Sequence, residues 1–303
     1  MRVLVTGACG FVGRYLVREL TAAGHLPVGF GLEPPPASSF CPVIRGDILE
    51  ADAVAAAVRD IRPDAAVHLA ALAFPPDAAS KPARMAAVNV QGTVHLLEAF
   101  RREAPAARLL MVSSARVYGS RVPAAPIRED DPLAPDSLYA VTKAAADLIT
   151  LQYARDFGLP FMTARPHNHT GPGQSEQFSI AGFAAQFRRL AADSGRPAIQ
   201  VGNLDSTRDF LDVRDVVRAY RLLLERGTAG LAYNIASGRC IPLSLLIDTL
   251  VRLSGVNPKR EIDPARFRPT DSSAPLDTTR LTRDTGWTPA LTLEDTLRDM
   301  LAG

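Results

Sequence analysis

A doubly wound α/β fold, with helices covering both faces of a parallel sheet, is the architecture this 303-residue sequence predicts. Three observations predict it. Short apolar or β-branched runs alternate with amphipathic helical stretches through residues 1–165. The first of these runs opens directly into a glycine-rich turn and then a helix. After Pro166 the alternation gives way to shorter, mixed elements with Gly/Pro punctuation at 171–173.

The elements follow in order. Arg2–Thr6 (RVLVT) is a first strand. Phe11, Tyr15, Leu16 and Leu20 share one face of the helix after it, and Gly24 ends that helix. His25–Gly31 is a second strand, weakened by Pro27. Cys41–Arg45 is a third, ending in Gly46-Asp47-Ile48. Ala51–Ile61 is a helix and Ala65–Leu69 a fourth strand. Ala83–Glu103 is a long helix and Arg108–Ser113 a fifth strand. Asp136–Phe157 is a second long helix, starting near Pro135 and Asp136, and Pro160–Arg165 is a sixth strand. Val213–Glu225 and Ala232–Ile235 read as a helix and strand that return to the main sheet.

Composition narrows the partners. The net charge of +2 gives no electrostatic case for nucleic acid or an anionic membrane. Cys9, Cys41 and Cys240 are scattered and odd in number, so neither a disulfide framework nor a paired-Cys metal site is expected. That usage fits a reducing cytoplasm. The start, MRVLVTGACG, has no signal-peptide pattern, and no apolar run approaches membrane-spanning length.

Thr6-Gly7-Ala8-Cys9-Gly10-Phe11-Val12-Gly13 is GxxGxxG between a strand and a helix. Glycines there let the backbone approach a pyrophosphate, and the helix N-terminus offers free N–H donors to it. Gly7, Gly10, Phe11, Val12 and Gly13 are therefore cofactor-facing candidates in a Rossmann-type domain. Cys9 reads as a small residue packed in the turn. Asp47 is placed to accept from an adenine amino group, with Ile48 against the ring; the other reading of Asp47 is a helix start. Leu69, Ala70 and Ala71 are small enough to let a cofactor pass the fourth strand end, while His68 reads as a core histidine. The second strand ends at Gly31, with Glu33 two residues on. Glycine leaves room for a 2′-phosphate, although no arginine stands immediately beside it. NADP(H) is favoured, with NAD(H) as the alternative.

Tyr139 and Lys143 are four apart on the second long helix, hence on one face. A neighbouring ammonium lowers a tyrosine pKa and favours proton transfer. Lys143 also has reach to cofactor ribose hydroxyls, and Ser114 supplies a second hydrogen bond to a reacting oxygen. His167 and His169 flank Asn168. No third ligand at a suitable spacing follows, so metal is rejected and the histidines are taken to shape the nicotinamide and substrate pocket.

With TGACGFVG, GDI at 46–48, HLAA at 68–71, SSARVYG at 113–119 and YAVTK at 139–143 in place, the chain resembles the extended short-chain dehydrogenases/reductases over essentially its whole length. The resemblance implies that Ser114, Tyr139 and Lys143 are catalytic. Ser114 is preferred to Ser113 because the family's catalytic Ser/Thr lies four residues before the loop tyrosine, here Tyr118. RPHNHTGPGQ at 165–174, VGNLDSTRDFLDVRDV at 201–216, YNIASG at 233–238 and RFRPTD at 266–271 are similar to the GDP-mannose branch, and closest to its reductases. By that resemblance Asn168, Arg208 and Arg268 hold a GDP-sugar. Arginine suits the task physically, since its planar fork matches phosphate oxygens. A surface ion pair with Asp209 or Asp212 is the other reading of Arg208.

The resemblance also separates reactions. Related dehydratases carry a Glu two residues before the loop tyrosine, and some add an Asp just before it. Here Arg116 and Ala115 occupy those places, and neither supplies the acid/base work of a dehydration. A GDP-fucose synthase has cysteine where Arg116 stands. The implied activity is hydride transfer to C4 of GDP-4-dehydro-6-deoxy-D-mannose, giving GDP-D-rhamnose. A 4-epimerase holding NAD is the alternative; a 4,6-dehydratase or a non-catalytic nucleotide sensor ranks lower. A dinucleotide domain at 1–165 plus about 209–236, and a substrate lobe at about 166–208 plus 237–303, are expected. So is a homodimer through the two long helices, with Leu148 and Leu151 facing outward.

Overall fold

The computed structural model describes residues 1–32, 41–73, 80–120, 125–192, 198–265, 267 and 272–303. The main sheet has seven strands: β1 Arg2–Thr6, β2 Leu26–Gly31, β3 Val43–Arg45, β4 Ala65–His68, β5 Arg108–Val112, β6 Phe161–Pro166 and, last, Ala232–Ile235. Their order is Ala232–Ile235, β6, β5, β4, β1, β2, β3. Every pairing is parallel. Strands buried on both faces need continuous apolar runs, and Val3, Leu4, Val5, Ala65, Ala66, Val67, Leu109, Leu110 and Met111 supply them at 0–1 % exposure. The chain leaves β1 towards β3, then crosses back to β4 on the other side of β1. That reversal opens a crevice at the C-terminal ends of β1 and β4, where open α/β sheets bind ligands.

Pro27 sits inside β2 without penalty for a local reason. The Gly29 N–H donates to the Pro42 carbonyl at 2.8 Å on the β3 side. Two residues earlier, Pro27 lacks an N–H on that same side, where β3 pairing has not begun. Pro42 itself lies before the paired residues, so β3 is Val43–Arg45 and shorter than the expected Cys41–Arg45.

Helices Phe11–Ala22 and Val213–Arg226 pack together on one face of the sheet. Ala51–Ile61, Gly92–Glu103 and Leu138–Phe157 cover the other. Leu281 and Trp287, from the stretch expected in the substrate lobe, belong to the first of these cores. The Trp287 indole donates to the Asp215 carbonyl at 2.9 Å. A separate apolar cluster around Ile180, Phe187, Leu246 and Leu297 organises the second half.

Three expectations are corrected. The helix expected over Ala83–Glu103 is interrupted: Pro82–Ala86 leads into a π-helical turn, Ala87–Gln91, and then Gly92–Glu103. The extra residue aims the Asn89 amide inward, where it bonds the Leu72 N–H (2.8 Å), the Leu72 carbonyl (3.1 Å) and the Thr142 hydroxyl (3.0 Å). The second long helix starts at Leu138 rather than Asp136, because the Ser137 hydroxyl caps it by accepting from the Ala140 N–H. Leu151 is buried, whereas Leu148 is 52 % exposed.

Candidate active site

The glycine loop is tight. Gly7 has φ +72°, and a Cβ there would meet the Ala70 backbone nitrogen at 3.1 Å. A Cβ on Gly13 would lie 2.3 Å from the Gly7 carbonyl, so only glycine lets the helix start this close to the strand. Gly10 stands at the helix N-cap, and Phe11 and Val12 open the first turn half-buried. Tyr15 donates from its hydroxyl to the Pro172 carbonyl at 2.7 Å, bringing the 171–173 turn against this helix.

The neighbouring strand ends complete a cradle. His68 is locked between Thr6 (2.7 Å) and Thr93 (3.1 Å), and burial drives its pKa down to about 3, so it is a neutral core residue. The Thr6 hydroxyl also accepts from the Ala70 N–H at 3.1 Å, and Leu69, Ala70 and Ala71 line the strand end half-exposed. Asp47 accepts from the Leu49 N–H at 3.0 Å and pairs with Arg84 at 3.2 Å. Ile48 is 6 % exposed, and a Cβ on Gly92 would meet its Cγ2 at 2.8 Å, so its side chain belongs to the core.

Sequence spacing missed one residue here. The β2–β3 register sets Arg45 directly opposite Gly31. Arg45 is exposed and has no ion-pair partner among the described residues. No arginine adjoins Gly31 in sequence, but strand pairing joins residues far apart in sequence and brings Arg45 beside it. Glu33 lies outside the described residues. The cradle fits a dinucleotide, and a glycine facing a free guanidinium fits one that carries a 2′-phosphate.

Ser114, Tyr139 and Lys143 converge at the ends of β5 and the long helix. Ser114 caps a 3-10 turn, Ala115–Tyr118, its hydroxyl accepting from the Arg116 N–H at 3.2 Å. Tyr139 hydrogen-bonds the Ser114 side chain; burial raises its pKa, while that bond and the Arg116 charge oppose the rise. Lys143 is buried, and burial lowers its pKa to about 8, against the pull of Asp147. Its ammonium donates to the Val112 carbonyl. The Arg116 charge also acts on the Tyr139 phenol.

The 3-10 turn between Ser114 and Tyr118 carries no carboxylate. Ala115 is 7 % exposed, and Arg116 pairs with Asp136 at 3.5 Å. His167 is buried with Nε2 2.8 Å from the Ala274 carbonyl, and His169 Nδ1 lies 3.0 Å from the His167 carbonyl. Burial lowers both pKa values. No group of three metal-ligating side chains forms among the described residues. No described helix is long and apolar enough to cross a membrane.

Arg208 and Asn168 come from short strands of the second half. Arg208 lines a cavity of about 310 Å³ together with Glu176, Asn203 and Ser206. The two carboxylates near Arg208 in sequence both have structural roles. Asp209 accepts from the Ser237 and Gly238 N–H groups (3.0 and 2.9 Å), and Asp212 is engaged by Arg214 at 2.7 Å. Asn168 pairs with Phe210 and is half-buried. Arg268 lies outside the described residues.

A glycine-loop cradle beside a Ser–Tyr–Lys set on one strand end and one helix defines an extended short-chain dehydrogenase/reductase. A model of the GDP-mannose 4,6 dehydratase family matches residues 4–300, and the chain belongs to that family. It is 38% identical to the GDP-6-deoxy-D-mannose reductase of Pseudomonas aeruginosa, over 99% of this chain and 96% of that relative. It is 32% identical to the UDP-glucose 4-epimerase of Mycolicibacterium smegmatis, over 97% of this chain and 96% of the relative. The structure of RMD from Pseudomonas aeruginosa complexed with NADPH matches with a TM-score of 0.87 and 36% identity, covering 99% of this chain and 97% of that one.

Proposed function

We propose that the protein is a nucleotide-sugar reductase acting on the C4 keto group of GDP-4-dehydro-6-deoxy-D-mannose, with GDP-D-rhamnose as product and NADP(H) as cofactor. The observation that carries this is the Ser114–Tyr139 hydrogen bond beside Lys143, with Ala115 and Arg116 where a dehydratase keeps its acid/base pair. The relative at 38% identity, a GDP-6-deoxy-D-mannose reductase, supports the sugar. The free Arg45 opposite Gly31 and the NADPH complex of a similar structure support the cofactor.

When bound, the nicotinamide supplies the hydride. Everything else falls to this chain. The glycine loop and the N-terminus of its helix receive the pyrophosphate, and Arg45 receives the 2′-phosphate. Ser114 hydrogen-bonds the C4 oxygen of the sugar, and Tyr139 gives that oxygen a proton. Lys143 orders the ribose and, once Tyr139 has lost its proton, stabilises the phenolate. Arg116, already acting on that phenol, contributes to the same stabilisation. Arg208 and Asn168 hold the diphosphate end from the second half of the chain. NADPH oxidation with the 4-keto sugar tests the proposal. Interconversion of two GDP-sugars on tightly held NAD, without net cofactor use, would replace it with an epimerase.

We also infer a homodimer. Leu138, Val141 and Leu148 are 37 %, 47 % and 52 % exposed on one stripe of the long helix, an apolar face suited to a second copy.

A further inference from the structure

Behind the three site residues lies a buried ion pair that no step above uses. Arg165 is 3 % exposed and Asp147 is 0 %. Arg165 Nε donates to Asp147 Oδ2 at 2.8 Å and Nη2 to Oδ1 at 3.1 Å. Its Nη1 donates to the Tyr118 hydroxyl and to the Glu129 carbonyl, both at 2.8 Å. The Tyr118 hydroxyl donates onward to Asn234 Oδ1 at 2.9 Å, and Thr163 donates to Asp147 at 3.1 Å. Every polar group of this network is thus directed.

The ends of the network are what matter. Asp147 lies on the helix of Tyr139 and Lys143, four residues after the lysine and on its face. Tyr118 closes the 3-10 turn that Ser114 opens. Arg165, on β6, therefore ties the turn holding one reacting hydroxyl to the helix holding the other. An apolar cluster could match such a buried pair in stability. It would lack the directional bonds that fix two elements at one separation.

We propose that Arg165, Asp147 and Tyr118 are positioning residues, which set the distance between the Ser114 hydroxyl and the Tyr139–Lys143 pair. The proposal rests on the reductase reading. Asp147 adds a second effect. Lys143 is faced by Asp147 from its own helix, by His68 from β4 and by the Val112 carbonyl from β5, with Arg165 beyond Asp147. His68 is neutral, so Asp147 is the anion that keeps the Lys143 ammonium charged against its burial.

The test compares Tyr118→Phe and Asp147→Asn with the wild type. Displacing reacting groups by a fraction of an ångström lowers kcat by about 10- to 100-fold in both, with KM for the nucleotide sugar within about threefold. In Asp147→Asn the alkaline limb of NADPH affinity also moves to lower pH; in Tyr118→Phe it stays. Retention of kcat within about twofold in both variants overturns the proposal. So does a loss of kcat that only follows the folded, NADPH-binding fraction. The NADPH titrations need no turnover. A wild type inert on the sugar therefore counts against the reductase, while an active wild type whose variants keep kcat counts against the positioning role, and an unmoved limb in Asp147→Asn counts against its effect on Lys143.

Discussion

At the scale of single residues, the chemistry turns on Tyr139. Burial keeps its phenol protonated, which is the form a reductase needs in order to donate. Tyr139→Phe removes that proton and lowers kcat by about 10²- to 10⁴-fold, while NADPH still quenches or shifts fluorescence as in the wild type. Lys143 gives the pH dependence. Its folded pKa, about 8, lies below its ordinary value of 10.5. Below about pH 8 the folded chain carries a buried ammonium at a cost in stability; as pH rises towards the unfolded value, that cost disappears. Cofactor affinity runs the other way, weakening above about pH 8 as the ammonium discharges. Titrating NADPH across this range reads both the midpoint and the sign. Arg45 gives the cofactor choice. Removing a charge-assisted contact to phosphate in Arg45→Ala raises KM for NADPH by about 10- to 100-fold and leaves KM for NADH unchanged.

At the scale of elements, the glycine loop is the most demanding piece. Gly13→Ala would set a Cβ 2.3 Å from the Gly7 carbonyl, against 3.3 Å for the same change at Gly10. Gly13→Ala should lower stability by about 1–3 kcal/mol and abolish NADPH binding, with a milder effect for Gly10→Ala, in thermal melts with and without cofactor. This loop, the helix Ala51–Ile61 and the buried strands were legible in the sequence, because their apolar period and glycine spacing are local. The π-helical turn was not: apolar period continues through it, and only the buried partners of Asn89 reveal the extra residue. Arg45 was hidden for a related reason, since register between β2 and β3 is a tertiary fact. Arg165 was visible as part of RPHNHTGPGQ, yet nothing in that motif says that Asp147 and Tyr118 are its partners.

At the scale of the whole molecule, the sheet and the second half divide the labour. The switch at β1 and β4 opens the cofactor crevice, and the cavity lined by Arg208 lies in the more irregular half. The alternating rhythm made the first half readable. The second half is assembled from two-stranded pairings as short as Thr207–Arg208 with Ile241–Pro242, too brief to leave a periodic signal. The return of Leu281 and Trp287 to the main core was equally unforeseen, as isolated apolar residues carry no address. The exposed stripe on the long helix belongs to this scale too. Leu148→Arg should convert a dimer to a monomer in light scattering without unfolding it, since that side chain is 52 % exposed in the single chain.

One incubation decides the reaction: purified protein, GDP-4-dehydro-6-deoxy-D-mannose and NADPH, followed by cofactor absorbance and product NMR. A C4 reductase oxidises one NADPH per sugar reduced and forms GDP-D-rhamnose. No turnover with either NADPH or NADH, or sugar interconversion without net cofactor oxidation, would contradict it.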